Sequence, residues 1–239
     1  AAFTEGAPAL RYHFTNAAVR STLVESDGFI YAVTNDGVLH KFQFADGTLS
    51  EVGSVKFAAS STSTPAIADG KAYVGGAEAD YTGVLAVIDV ASMKADRTVT
   101  TFASSTAKGQ QLPADVKSAP LVSQQSGGTY VYFTCNNLPG GLYVYKEGDA
   151  EAVMMYLPDA ADQNYSMSSV FAGADGTLYY INDSGTLFAL VPGGELPAYG
   201  GGQGSDQGGD TGTTGNTGSD GDGDQGSGMG NQDGKRAVA

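Results

Sequence analysis

Residues 21–44 read STLVESDGFIYAVTNDGVLHKFQF, and this stretch decides the fold. It opens on small hydroxylated residues and passes into a short apolar run. It then turns at Asp27-Gly28, continues through an aromatic strand marked by Tyr31, turns again at Asn35-Asp36-Gly37, and ends in the run VLHKFQF. Runs of this length, rich in Val, Ile, Tyr, Phe and Thr and bounded by Asp-Gly or Asn-Asp-Gly, are meandering antiparallel strands joined by tight turns. No part of it sustains the 3.6-residue apolar period of a helix.

The same pattern recurs three more times. It reads STPAIADGKAYVGGAEADYTGVLAVIDV from Ser63, SAPLVSQQSGGTYVYFTCNNLPGGLYVY from Ser118, and SSVFAGADGTLYYINDSGTLFALV from Ser168. The first turn carries Gly28, Gly70, Gly128 and Gly176, and the aromatic strand carries Tyr31, Tyr73, Tyr132 and Tyr179. A second glycine follows at Gly37, Gly83, Gly141 and Gly185. The tyrosines are spaced by 42, 59 and 47 residues. Three repeats continue into a further strand-like run: LSEVGSVKFA, DRTVTTFA and EAVMMYLP. The fourth has none, because VPGGELPAY runs on into low-complexity sequence.

A four-stranded unit recurring every 40 to 60 residues predicts an all-β protein, a β-propeller of about four antiparallel blades. A single blade cannot bury both faces, so blades must stack about a common axis. Thr64, Ser118 and Ser168 are expected where strands enter that crowded centre. The unclaimed stretch Leu10-Arg11-Tyr12-His13-Phe14 is expected to add one strand. This fits a closed four-blade ring, and it fits equally a part of a larger propeller. The domain reading is an N-terminal segment over 1–19, blades over 20–197 and a disordered Gly/Ser/Asp linker over 198–239. From Gly200 onward the chain holds 15 of its 35 glycines and little apolar bulk, too little to offset the entropy of ordering. The opening AAFTEGAPAL has neither an initiator Met nor a signal peptide, and suggests a processed or excised piece.

Composition limits the function. The formal net charge is −14, so nucleic acid and anionic membrane surfaces are not expected partners. No apolar run reaches the length of a membrane span. The single cysteine, Cys135, lies in the apolar run TYVYFTC and reads as a buried thiol, which leaves neither an internal disulfide nor a zinc cluster. His13 and His40 are the only histidines, and His40, in VLHKFQF, reads as a surface or edge residue. No G-x-S-x-G elbow accompanies them. Asp27, Asp36, Asp46, Asp69, Asp175 and Asp183 fall at turns, where their own hydrogen bonding favours them. In the tail, GGQGSD at Gly201–Asp206 is one copy of a calcium-roll motif that works only as a stack. Asp220, Asp222 and Asp224 resemble the start of an EF-hand loop that Gln225 and Asn231 break. No catalytic, cofactor or metal residue is therefore expected. The two longest loops within blades, Gly75–Gly83 with Tyr81 and Cys135–Gly141, are where a ligand-binding face would lie.

These blades resemble the pyrroloquinoline-quinone-type propeller repeats. The resemblance rests on DGFIYAVTNDGVLHKF, on TSTPAIADGKAYVGG with VLAVIDVASM, and on ADGTLYYINDSGTLFAL, and covers roughly residues 20–191. It implies the fold, and says little of activity, since such blades occur in quinone enzymes and in non-catalytic scaffolds alike. Quinone enzymes of this class typically hold the cofactor against a Trp, and this chain has no Trp, so no cofactor is expected. Blades followed by a Gly/Asp stretch also look like secreted surface proteins of Gram-positive gut bacteria. The resemblance thus implies a non-catalytic extracellular or cell-surface module binding a protein or glycan. Its alternatives are a fragment of a propeller oxidoreductase whose cofactor site lies outside this chain, and a cell-envelope assembly scaffold.

Overall fold

A computed structural model describes residues 12–14 and 17–193. The domain limits near 197–198, the linker and its calcium-like motifs fall outside these residues. The described chain is all-β. Blade 1 comprises β1 (Val24–Ser26), β2 (Phe29–Thr34), β3 (Val38–Ala45) and β4 (Thr48–Lys56), hydrogen-bonded in that order. Blade 2 repeats this with β5 (Ala66–Ala68), β6 (Lys71–Ala77), β7 (Gly83–Asp89) and β8 (Lys94–Val99). Next come β9 (Thr101–Ala103) and β10 (Gln110–Gln111), then β11 (Leu121–Gln125), β12 (Gly128–Thr134), β13 (Leu142–Lys146) and β14 (Ala152–Tyr156). These six form blade 3, in the order β10-β9-β14-β13-β12-β11. Blade 4 holds β15 (Phe171–Ala172), β16 (Leu178–Ile181) and β17 (Leu187–Leu190).

The first hairpins form where the turn signals stand. Ser26 pairs Phe29 and Ala68 pairs Lys71, leaving two-residue loops Asp27-Gly28 and Asp69-Gly70 with both residues at positive φ. That geometry matches the twist of the flanking strands, and Asp with Gly tolerates it best.

The run DRTVTTFA does not stay in one blade. Its first part pairs β7 of blade 2, whereas Thr101–Ala103 runs parallel to β14 at the outer edge of blade 3. The β9–β10 hairpin accounts for the long spacing from Tyr73 to Tyr132. Of the stretch expected to add an N-terminal strand, Tyr12–Phe14 is described and has no strand pairing, and Leu10 and Arg11 lie outside the described residues.

The repeated residues serve the same purpose in each blade. Two residues beyond the marker tyrosine, the N–H of Val33, Gly75, Thr134 and Ile181 donates to the hydroxyl of Ser21, Ser63, Ser118 and Ser168, at 3.1–3.2 Å. Each serine thus extends the ladder one step beyond its short inner strand, so a backbone donor near the axis is not left unpaired. The same residues pair a leucine on the third strand: Val33 with Leu39, Gly75 with Leu85, Thr134 with Leu142, and Ile181 with Leu187.

Each blade has a leading face, toward the blade before it, and a trailing face, toward the blade after. Tyr31, Val33 and Leu39 trail blade 1 and pack with Ala72, Val74, Ala86 and Ile88 of blade 2. Tyr73, Leu85 and Val87 pack with Val131, Phe133, Tyr143 and Tyr145 of blade 3. Tyr132 and Leu142 pack with Leu178, Tyr180 and Phe188 of blade 4. Burial of such side chains, about 1.5–3 kcal/mol each, is the main force joining the blades. Polar clasps add direction. Lys41 Nζ donates to Val90 O at 2.8 Å, and Glu147 accepts from Lys71 and, at 2.9 Å, from the Tyr73 hydroxyl. Among the described residues no hydrogen bond joins blade 4 to blade 1. Leu187 is 61% exposed where Leu39, Leu85 and Leu142 are fully buried, so the four blades form an open arc.

Candidate functional site

In each antiparallel blade the loops between second and third strands lie at the same end as the connectors between blades. These connectors are pinned there: Ser61 N donates to Asn35 O, Val116 N to Gly76 O, and Asp183 N to Tyr165 O, at 2.9–3.1 Å. The loop Glu78–Thr82 stands out at this end. Glu78 N donates to Thr82 O at 2.8 Å, Tyr81 N to Glu78 O at 3.0 Å, and Thr82 N to Asp80 Oδ1 at 3.0 Å. These bonds hold Tyr81 at φ +68°, a left-handed conformation that costs a non-glycine residue energy. The residue is 75% exposed.

Beside the loop lies an open cleft of about 430 Å³ lined by Glu78, Asp80, Thr82, Thr100 and Gln111, with Ala79. The amide and hydroxyl of Thr82 hold the Asp80 carboxyl below the ordinary carboxylate range. The loop therefore carries an exposed Tyr81 on a fixed backbone, and the cleft next to it offers carboxylate, amide and hydroxyl groups. Together they can stack on an apolar ring face and accept hydrogen bonds from hydroxyl or amine groups. The Gly75–Gly83 loop, one of the two longest within blades, supplies Glu78, Ala79, Asp80 and Thr82 to this cleft. Asp80 is a turn residue by type, but nothing in the sequence says that Tyr81, and not Asp80, takes the left-handed position.

The second loop, Cys135–Gly141, is tied down instead. Asn136 N donates to Asp115 O, and Gly140 O accepts from the Tyr180 hydroxyl of blade 4. Cys135 itself is buried, and burial pushes its thiol up. Of the aspartates expected at turns, Asp27, Asp46 and Asp69 take left-handed turn positions, and Asp175 accepts from Thr177 N–H and hydroxyl.

His40 corrects the sequence reading. It is no surface residue: its side chain is 15% exposed on the leading face of blade 1. Nδ1 lies 2.9 Å from Glu51 Oε1 and Nε2 lies 3.1 Å from Thr34 Oγ1. A bulge brings the carboxylate there. Lys41 pairs Gly53 but Phe42 pairs Glu51, so the extra residue Val52 swings Glu51 onto the face of His40. Burial alone would raise the Glu51 carboxyl. Hydrogen bonds from the Tyr12 hydroxyl and from His40 outweigh it and hold the carboxyl below its ordinary value. The order hydroxyl, imidazole, carboxylate is that of a nucleophile with its base. Here the Thr34 hydroxyl is 2.6 Å from Asp36 Oδ1, which takes its single proton, and Thr34 is 2% exposed. The cluster is thus a hydrogen-bonded clasp, walled by the rings of Tyr12 and Phe14. His13 is exposed. Among the described residues no group of three or more His, Cys, Asp or Glu side chains gathers as a metal site.

No family model matches the chain, and no curated protein matches it. Among solved structures it is similar to BamB from Moraxella catarrhalis, with 15% identity over 72% of this chain and 47% of that one, at a TM-score of 0.47. It is similar to the WD40 β-propeller domain of Doa1, with 15% identity over 75% of this chain and 53% of that one, at 0.46. It is also similar to quinohemoprotein alcohol dehydrogenase from Comamonas testosteroni, with 12% identity over 72% of this chain and 33% of that one, at 0.51. The chain spans about half or less of the length of these structures. Likeness at such identities speaks for the fold alone, and the fold is a β-propeller.

Proposed function

We propose that this chain is a non-catalytic, extracellular or cell-surface propeller module that binds a polyhydroxylated ligand, a glycan, at the Glu78–Thr82 loop. The observation that carries the reading is Tyr81, held in a strained left-handed conformation and 75% exposed. Strain of this kind persists only where surrounding bonds over-determine it, and it clusters where a side chain must be presented. A tyrosine side chain has only two rotatable torsions, so ordering it costs little entropy on binding. Glu78, Asp80, Thr100 and Gln111 beside it supply acceptors and donors for sugar hydroxyls. The extracellular placement rests on the order of the sequence, blades first and a Gly/Asp-rich stretch after.

The test is a glycan array probed with the 239-residue chain and with its Tyr81→Ala variant. The expected result is binding by the parent and loss in the variant, with unchanged unfolding. Binding that survives Tyr81→Ala, or no binding by the parent to any glycan, contradicts the reading.

A further inference from the structure

All four blades repeat one backbone bond at the end that carries the connectors. Asn35 N donates to Ala18 O, Ala77 N to Ser60 O, Asn136 N to Asp115 O and Asp183 N to Tyr165 O, at 2.8–3.0 Å. Each acceptor stands three residues before the serine that closes its inner strand, so the connectors can be compared residue by residue. At the acceptor position blades 1 to 3 carry Ala18, Ser60 and Asp115, and blade 4 carries Tyr165. Two residues on they carry Arg20, Thr62 and Lys117, and blade 4 carries Met167. Blade 4 alone sets two large apolar side chains where the repeat has small or polar ones.

Leu157 opens the same connector, and the blade 3 loop with Leu138 rests against it: a Cβ on Gly140 would strike the Asn164 carbonyl. Leu138, Leu157, Tyr165 and Met167 are each 46–54% exposed. The connector is tied down. Gln163 Nε2 donates to Pro158 O at 2.9 Å, Asn182 Nδ2 to Asp162 O at 2.7 Å, and Ser166 Oγ to Ile181 O at 3.0 Å. Side chains on a loop already fixed lose little freedom when a partner covers them. A neighbouring blade does not cover this end. Ser60 is exposed with blade 3 following, and Leu138 and Lys117 stay exposed or half-exposed with blade 4 following.

The charge here has one sign. Between residues 147 and 193 the chain has no Lys or Arg, while Asp159 on the connector and Asp183 on the loop bonded to it are exposed. Residues 194–239 carry Glu195 and six Asp against Lys235 and Arg236, and a second copy has the same net charge of −14. Neither complements an acidic surface, and anionic membranes and nucleic acid are repelled by it.

We propose that the connector end of blades 3 and 4 docks a basic polypeptide segment of another protein. Its apolar side chains pack on Leu138, Leu157, Tyr165 and Met167, and its Lys or Arg side chains face Asp159 and Asp183. Apolar contact supplies most of the affinity, and the carboxylates steer and select the partner. This surface is separate from the Tyr81 site.

A random peptide library displayed on phage, panned against the full 239-residue chain, tests this. The recovered peptides should combine Lys or Arg with Leu or aromatic residues. Made with a fluorescent label, they should bind the chain in solution by anisotropy, less tightly as salt is raised. Tyr165→Ser with Met167→Thr gives blade 4 the residues of blade 2, and should weaken binding about tenfold or more. Leu138→Ser, on a separate loop, should weaken it too, so the result does not hang on the folding of one variant. Phe44→Ser, at an exposed position on the opposite end of blade 1, should leave binding unchanged. Recovery of no peptide, or of acidic ones, overturns the proposal. So does binding that both the double variant and Leu138→Ser retain in full.

Discussion

Replacing Gly75 by alanine probes how tightly the blade connectors are fitted. Gly75 sits in β6, its N–H bonded to Ser63 Oγ and its carbonyl accepting from Ser61 Oγ at 2.7 Å. A Cβ there would lie 2.5 Å from Val116 Cγ1 and 2.8 Å from Val116 Cβ, and closer still to the Val116 carbonyl oxygen. The nearest obstacle is the backbone oxygen, and the Val116 Cβ is fixed to the same backbone, so no rotamer change removes the clash. Overpacking of this kind costs about 1–3 kcal/mol. Displacing the connector also threatens the Val116 N–H to Gly76 O bond, worth about 1 kcal/mol. The sum is about 2–4 kcal/mol, which at a urea slope of about 2–3 kcal/mol/M lowers the midpoint by roughly 1 M. Urea unfolding followed by tyrosine fluorescence and circular dichroism measures it. Val116→Ala in the same chain removes the nearer methyl but not the carbonyl, so it should relieve part of the loss, with a coupling of about 0.5 kcal/mol or more. A Gly75→Ala chain as stable as its parent would refute the reasoning.

Two further predictions concern the clasps. Ser63→Ala leaves the Gly75 N–H and the Ser118 carbonyl without their buried partner, and is expected to cost about 1–3 kcal/mol in the same urea assay. Hydrogen bonds from Lys71 and Tyr73 hold the Glu147 carboxyl below its ordinary value, against the effect of burial. Its contribution is present above the unfolded carboxyl value of 4.5 and fades as pH falls through the lower folded value. Lys71 is raised by the same pair, so its share is lost only in strong alkali, above its ordinary 10.5. Glu147→Gln should therefore destabilise at neutral pH by about 1 kcal/mol or less, because the pair is partly exposed. The difference from the parent should vanish in acid, and a difference that grows in acid would contradict the sign.

Much of the fold is legible in residues 21–191 because turn chemistry and strand alternation are local. Tyr31, Tyr73, Tyr132 and Tyr179 occupy the same place in their blades, and the serines 21, 63, 118 and 168 bond the same backbone position. What escaped depends on neighbours distant in sequence. Leu187 reads like Leu39, yet one is exposed and the other buried, because exposure is set by whether another blade stands opposite. DRTVTTFA reads as one strand, and only the edge of β14 decides that it divides between two blades. His40 meets Glu51 through a bulge at Val52, and no residue type announces that bulge. Of the candidate binding site, the loop was visible from its length, whereas the strained Tyr81 came only from its hydrogen bonds.

The central claim is that equivalent serines fasten equivalent strands around one axis. Native-state hydrogen exchange at the four bonded amides tests it most directly. Val33, Gly75 and Thr134, inside complete interfaces, should exchange only through global unfolding, and Ile181, on the exposed face of blade 4, should exchange faster. Gly75 and Thr134 amides that exchange as quickly as exposed turn amides would contradict the account.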